Sequence, residues 1–279
     1  MSYRTILVHV DDSSRANERI KIAANIALAE HAHLIGTATT GISSARDQIG
    51  GIEPIVPDLK LVLNRQRDRA DHALAEFETT VRRMGVTSFE TRLVDDEAGG
   101  AIGLQARYCD LVVIGQSDPT ASTLVVARDF PEHVVMNSGR PVLIIPRAGP
   151  FVDLGKRPLI AWDASAAAAR AVADAIPFLQ HAEAVDVAVF NPEEPAGVHG
   201  QEPGADIALY LARHDIKVNV RQRTASTPIG DALLLLATEL ASDLIVMGGY
   251  GHARLREILL GGVTRTALES AIVPVLMSH

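Results

Sequence analysis

The chain has 279 residues, a formal net charge of −8, and 47% hydrophobic but only 4% aromatic side chains. That length accommodates two domains of ordinary size around an aliphatic core, which suits helices packed on a buried parallel sheet. The acidic balance argues against a general nucleic-acid partner, which demands a basic patch, and the single cysteine, Cys109, excludes a disulfide within the chain.

Met1-Ser2-Tyr3-Arg4-Thr5 runs directly into a strand pattern without a signal-peptide core. No stretch approaches the ~18 uninterrupted apolar residues of a membrane span. The expectation is a cytoplasmic protein with no membrane partner. In the first half, strands are predicted near 4–10, 33–39, 88–94, 110–115 and 141–146, and helices near 15–31, 58–84, 97–108 and 129–138. Ile20, Ala23, Ala24, Ala27 and Leu28 recur at helical spacing. Cys109 precedes a buried-strand pattern and reads as a core thiol. Arg147-Ala148-Gly149-Pro150 breaks the pattern and marks a linker. In the second half, strands are predicted near 157–162, 184–190, 216–222, 243–248 and 273–277, and helices near 165–180, 203–214, 228–241 and 263–271.

The second half repeats the first. An offset of 133 carries Asp110-Leu111-Val112-Val113-Ile114-Gly115 onto Asp243-Leu244-Ile245-Val246-Met247-Gly248, and Pro141-Val142-Leu143 onto Pro274-Val275-Leu276. An offset of 152 carries the strand ending at Asp11 onto the strand ending at Asp163, so the second copy is about 19 residues shorter between its first and fourth strands. A period this long is a duplicated domain, not a solenoid repeat. The predicted domains are 1–147 and 156–279, each an α/β unit whose five parallel strands are wound with helices on both faces. Such sheets bind ligands beyond the carboxyl ends of their strands, at the topological switch point. Asp163 and Gly248 each follow a strand and so lie at that end.

The most informative stretch is Gly248-Gly249-Tyr250-Gly251, nine residues, then Gly261-Gly262-Val263-Thr264. It joins a buried strand to a helix N-terminus, where backbone N–H groups gather around phosphate. Its spacing is neither a Walker A loop nor a dinucleotide fingerprint. It resembles the nucleotide-binding motif of the universal stress protein family, and the resemblance spans nearly the whole chain as a tandem of two domains. The implied fold is a pair of five-stranded α/β sheets, universal stress protein-like and adenine nucleotide alpha hydrolase-like. In the family the domain is often dimeric through its last strand, and the halves of tandem members commonly pair within the chain. Further pairing into a homodimer stays open.

By that resemblance Asp163 holds the adenosine, and Gly248, Gly251, Gly261, Gly262 and Val263 contact phosphate, largely through backbone. The implied ligand is ATP with Mg²⁺, and the implied role is a sensor or regulatory module in stress response, in which binding orders the 249–262 loop and alters a protein-facing surface. The family motif has Ser or Thr where this chain has Gly262, so one hydroxyl is lost; Thr264, two residues on, is the substitute. The first half departs further. Asp11 and Gly115 survive, but Asp118 and Arg128 stand at the positions of Gly251 and Gly261. A carboxylate beside phosphate repels it, so this half is expected to bind no nucleotide and to serve structure or partner contact.

Other readings carry less. His252, Arg254 and Arg256 lie in the loop, where the arginines either neutralise phosphate or face solvent. Asp11-Asp12 followed by Asp95 evokes a phosphoacceptor receiver, but Pro146-Arg147 offers no lysine after the fifth strand. His31 and His33 lack a supporting ligand cluster and read as an exposed helix end. His199 sits in a Pro-, Gly- and Glu-rich loop and is a weak metal candidate. Trp162 points away from Asp163 by strand alternation and reads as core. No catalytic constellation appears. The alternatives are therefore a nucleotide-independent interaction or stress-tolerance protein, and a slow ATP hydrolase.

Overall fold

The protein is described by a computed structural model covering residues 2–41, 59–116, 129–149, 151, 154–192, 202–250 and 262–279. It divides into two compact units, Ser2–Arg140 and Pro141–His279. The N-terminal unit contains β1 (Thr5–His9), α1 (Ala16–Glu30), β2 (His33–Thr39), α2 (Leu59–Arg83), β3 (Phe89–Val94), α3 (Ala98–Ala106), β4 (Leu111–Gly115) and α4 (Phe130–Ser138). The C-terminal unit contains β5 (Val142–Ile145), β6 (Pro158–Ala161), α5 (Ala166–Leu179), β7 (Val185–Phe190), α6 (Ala205–Ala212), β8 (Val218–Arg223), α7 (Ile229–Glu239), β9 (Leu244–Gly248), α8 (Gly262–Ser270) and β10 (Val275–Ser278). Every predicted strand and helix is present within about two residues at either end.

In the N-terminal unit the strands lie in the order β3-β2-β1-β4, all parallel. The chain leaves β1 toward β2 and returns to β4 on the other side, so the topological switch point lies between β1 and β4. In the C-terminal unit the order is β5-β10-β9-β6-β7-β8, and the switch point lies between β6 and β9. Every pair within this unit is parallel except one: β5, the last strand of the first sequence repeat, runs antiparallel to β10 with Leu143 opposite Leu276.

The inner strands are apolar and buried along their length. Ile6, Leu7 and Val8 of β1 are fully enclosed, as are Leu159 and Ile160 of β6 and Leu244, Ile245 and Val246 of β9. Such continuous burial is what a parallel sheet covered on both faces imposes. Helices supply the cover through stripes at helical spacing: Ala70, Ala73, Leu74, Phe77 and Val81 on α2 are buried. Phe77 rests on Gly36 of β2, where a Cβ would stand 2.6 Å from the ring. On α1 the buried stripe includes Ala16, Arg19, Ile20, Ala23 and Ala27, whereas Leu28 is 40% exposed.

One fastening appears in both units. The carboxylate of Asp110, just before β4, accepts the N–H groups of Arg4 and Thr5 at 2.8 and 2.9 Å. Asp243, just before β9, accepts those of Lys156 and Arg157 at 2.7 and 2.9 Å. Each aspartate ties the start of the central strand to its neighbour. Cys109 is buried beside Asp110, its Sγ 3.6 Å from the Gln105 carbonyl, and burial pushes its thiol up to about 11. It is an inert core thiol.

Candidate functional site

At the switch point of the C-terminal unit the chain leaves β6 through Trp162, Asp163 and Ala164, the last in left-handed conformation at φ 59°. Asp163 Oδ1 accepts the Ser165 N–H at 3.0 Å, a local turn that leaves the Asp163 side chain exposed at the rim. Ser165 then caps α5, its Oγ accepting the Ala168 N–H at 3.1 Å. Gly248, at the end of β9, lies against this same helix start. A Cβ there would stand 2.5 Å from the Ala168 nitrogen and 2.7 Å from the Ala167 carbonyl carbon. Gly248 therefore lets the first turn of α5 approach β9, and brings the Asp163 turn and the start of the glycine loop together.

The loop's opening residues are held from two sides. Gly249 donates its N–H to the Ser278 carbonyl at 2.8 Å, and its own carbonyl lies 3.0 Å from His279 Nδ1. Tyr250 has a left-handed backbone, φ 59°, and its N–H reaches Thr264 Oγ1 at 3.4 Å. Thr264 is 4% exposed, so its hydroxyl ties Tyr250 to the first turn of α8. Gly262 opens α8 and is exposed, and a Cβ there would meet nothing within 4 Å among the described residues. Val263, next to it, is half-buried. The structure thus gathers Asp163, Gly248 and Thr264 through a continuous series of contacts. Gly251, Gly261, His252, Arg254 and Arg256 lie outside the described residues, as do Asp118, Arg128 and His199. Trp162 is half-buried, not fully enclosed as a core residue would be.

At the equivalent point of the N-terminal unit the geometry differs. Asp11 again accepts an N–H two residues on, from Ser13 at 3.1 Å. It also binds Arg19: Nη2 reaches Asp11 Oδ1 at 2.8 Å, while Arg19 Nε donates to the His9 carbonyl at 2.7 Å. Arg19 is 3% exposed. Burial by itself raises the Asp11 carboxyl, but the Arg19 guanidinium, His9 and the Ser13 hydroxyl together outweigh it and hold the group far below the ordinary carboxylate range. His9 is 2% exposed with its ring 4.8 Å from that of Phe130, and burial depresses it to about 4, so it is neutral at pH 7. The repeat offsets place Ala161, Ala171 and Val263 of the second unit where the first has His9, Arg19 and Phe130. Three large side chains fill one switch point where the other has three small ones.

Outside the two switch points, His31 is the exposed left-handed C-cap of α1. His33 Nδ1 lies 2.8 Å from Ser88 Oγ. Asp95 is exposed and pairs with Arg67 at 3.3 Å. Among the described residues no group of three or more His, Cys, Asp or Glu side chains forms a metal site, and no helix is long and apolar enough to cross a membrane.

The family model for the universal stress protein family matches residues 2–146 and again 156–279. The chain belongs to that family. A universal stress protein from Archaeoglobus fulgidus DSM 4304 has the same fold with a TM-score of 0.74 at 18% identity, over 98% of this chain and 95% of that one. The Pseudomonas aeruginosa PAO1 protein PA1789 matches with a TM-score of 0.63 at 17% identity, over 99% and 92% of the two chains. These likenesses show the fold, a tandem of two universal stress protein domains. A universal stress protein from Archaeoglobus fulgidus in complex with dAMP matches 52% of this chain and 98% of its own, at 19% identity and a TM-score of 0.37. No curated protein matches the chain.

Arg19 is the site residue that sequence reading missed. Its signal was available: a charged residue on the apolar stripe of α1, eight residues after the motif aspartate.

Proposed function

We propose that this tandem universal stress protein is a cytoplasmic nucleotide-responsive regulatory module that binds one adenine nucleotide, ATP with Mg²⁺, in its C-terminal unit. The observation that carries this reading is the contrast between the two aspartates. Asp163 is exposed at its switch point, and among the described residues its one hydrogen-bond donor is Ser165. Asp11, its counterpart, is ion-paired to a buried arginine. A rim carboxylate accepts ribose hydroxyls as it does on other doubly wound sheets. The phosphates then fall to the backbone N–H groups of the loop after Gly248 and of the first turn of α8, at Gly262, Val263 and Thr264, with Gly251 and Gly261 as the loop's remaining glycines. Among the described residues nothing stands within 4 Å of a Cβ at Gly262, which fits a phosphate at that turn. With no carboxylate cluster among the described residues, Mg²⁺ would enter with the phosphates, its common mode of binding.

The test is to denature freshly purified protein and identify any released nucleotide by chromatography and mass, then titrate stripped protein with ATP and Mg²⁺ by calorimetry. Trp162, the only tryptophan and the residue before Asp163, provides a second readout through its fluorescence. One nucleotide per chain is expected, and Asp163→Ala weakens its binding. Two per chain, or no binding at millimolar ATP, would overturn the reading; the second outcome favours a nucleotide-independent interaction protein. Product formation against a Gly251→Asp control decides whether bound ATP is slowly hydrolysed.

A further inference from the structure

We infer that the N-terminal unit is self-liganded: Arg19 occupies, in cis, a guanidinium-binding site built from the His9 carbonyl, the Asp11 carboxylate and the bare backbone of Gly115. Two walls of the site are hydrogen bonds and the third is the space that Gly115 leaves by having no Cβ. Nε donates to the His9 carbonyl at 2.7 Å, and Nη2 donates to Asp11 Oδ1 at 2.8 Å. Nη1 lies only 2.6 Å from where a Cβ on residue 115 would stand. A planar guanidinium presents donors in a fixed fork, and this pocket meets three of its edges at once. Because Arg19 is 3% exposed, the group cannot swing into water to relieve a clash without surrendering both hydrogen bonds and leaving the half-buried Asp11 carboxylate without its cation.

This assigns a purpose to the two motif residues that survive in the first repeat. Asp11 and Gly115 look like remnants of a ligand site. In the structure both are in use, one as the anion and one as the gap that admits Nη1. The ligand is a side chain of the protein itself. The N-terminal switch point is therefore filled, with the His9 ring tilted against that of Phe130 beside it. The inference holds whether or not the C-terminal unit binds nucleotide.

The experiment is a thermal unfolding series on the full chain followed by circular dichroism. Arg19→Ala is expected to lower the N-terminal transition by about 10 °C, as removal of one partner of a buried ion pair does. Guanidinium chloride at tens of millimolar, far below denaturing concentration, is expected to restore a few degrees of that loss by mass action, while equal sodium or ammonium chloride restores none. Gly115→Ala alone destabilises because it displaces Nη1. In the Arg19→Ala background the same substitution costs little further, and it abolishes guanidinium rescue. That non-additivity is the signature of one shared site. Where Arg19→Ala does not fold, the same cycle with Arg19→Lys decides, since lysine keeps the charge but has no Nη1 to meet the new methyl. Additive effects of the two positions, rescue by sodium chloride equal to that by guanidinium, or an unchanged transition in Arg19→Ala would each overturn the inference.

Discussion

Gly262 offers the sharpest test of how the C-terminal unit engages phosphate. The family motif has Ser or Thr here, and replacing Gly262 by Ser restores the hydroxyl. The structure says the change is sterically free: a Cβ at 262 meets nothing within 4 Å among the described residues, and the residue opens α8 without a left-handed backbone. Serine is also well suited to a helix start. Stability is therefore expected to stay within about 0.5 kcal/mol of the parent. If a phosphate sits against this turn, the new hydroxyl gains a hydrogen bond to a charged group, about 1.5–3 kcal/mol, which tightens Kd roughly 10- to 150-fold. Calorimetry with ATP and Mg²⁺ measures the change, and Gly262→Ala, which adds the Cβ without the hydroxyl, is the control. An unchanged Kd for a folded Gly262→Ser protein would refute the placement of phosphate at the start of α8. An equal gain in Gly262→Ala would assign the effect to helix stiffening.

Gly248→Ala should behave oppositely and destabilise the C-terminal unit by about 3 kcal/mol in urea unfolding, because the new Cβ meets backbone atoms of α5, which cannot rotate away; a neutral result would show that α5 yields to it. His9 predicts a pH dependence. Its folded value of about 4 lies below the ordinary 6.5, so its contribution is complete above pH 6.5 and is lost as pH falls toward 4, in all about 3 kcal/mol. Asp11, also held low, adds to the loss only below the ordinary carboxylate value of 3.8. Unfolding free energies measured from pH 7 to 4 should show this slope in the parent and lack it in His9→Ala. Asp110→Ala and Asp243→Ala each remove an acceptor from two strand-start N–H groups and should cost about 2 kcal/mol in their respective units; unchanged denaturation midpoints would show that water replaces the carboxylate without loss.

The fold was legible because its signals are local or periodic. Continuous apolar runs such as Leu244 to Met247 marked inner strands, and the repeat offsets doubled every assignment. Direction was not legible: β5 is four apolar residues, and nothing in Val142-Leu143-Ile144-Ile145 says that it pairs antiparallel with β10. Asp163 and Gly248 were placed at one rim by the rule for doubly wound sheets, but the sequence could not say that Gly248 packs on the α5 backbone. Thr264 looked like a spare hydroxyl for phosphate, and only the fold shows it buried and bonded to the Tyr250 N–H. Arg19 was passed over because α1 was read through Ile20, Ala23, Ala24, Ala27 and Leu28. Four of those five are buried; the buried face is wider than that stripe, taking in Ala16, Arg19, Ile22 and Ile26, and only Leu28 lies outside it.

The antiparallel pairing of β5 with β10 has a consequence for anyone who would cut the protein between its repeats. A fragment beginning at residue 156 retains every strand of the second sequence repeat but removes β5, and so strips one side of β10 of its hydrogen-bonding partner. Val275, Leu276 and Met277 would then front a raw sheet edge, the kind of surface on which a second copy of the fragment can dock strand to strand.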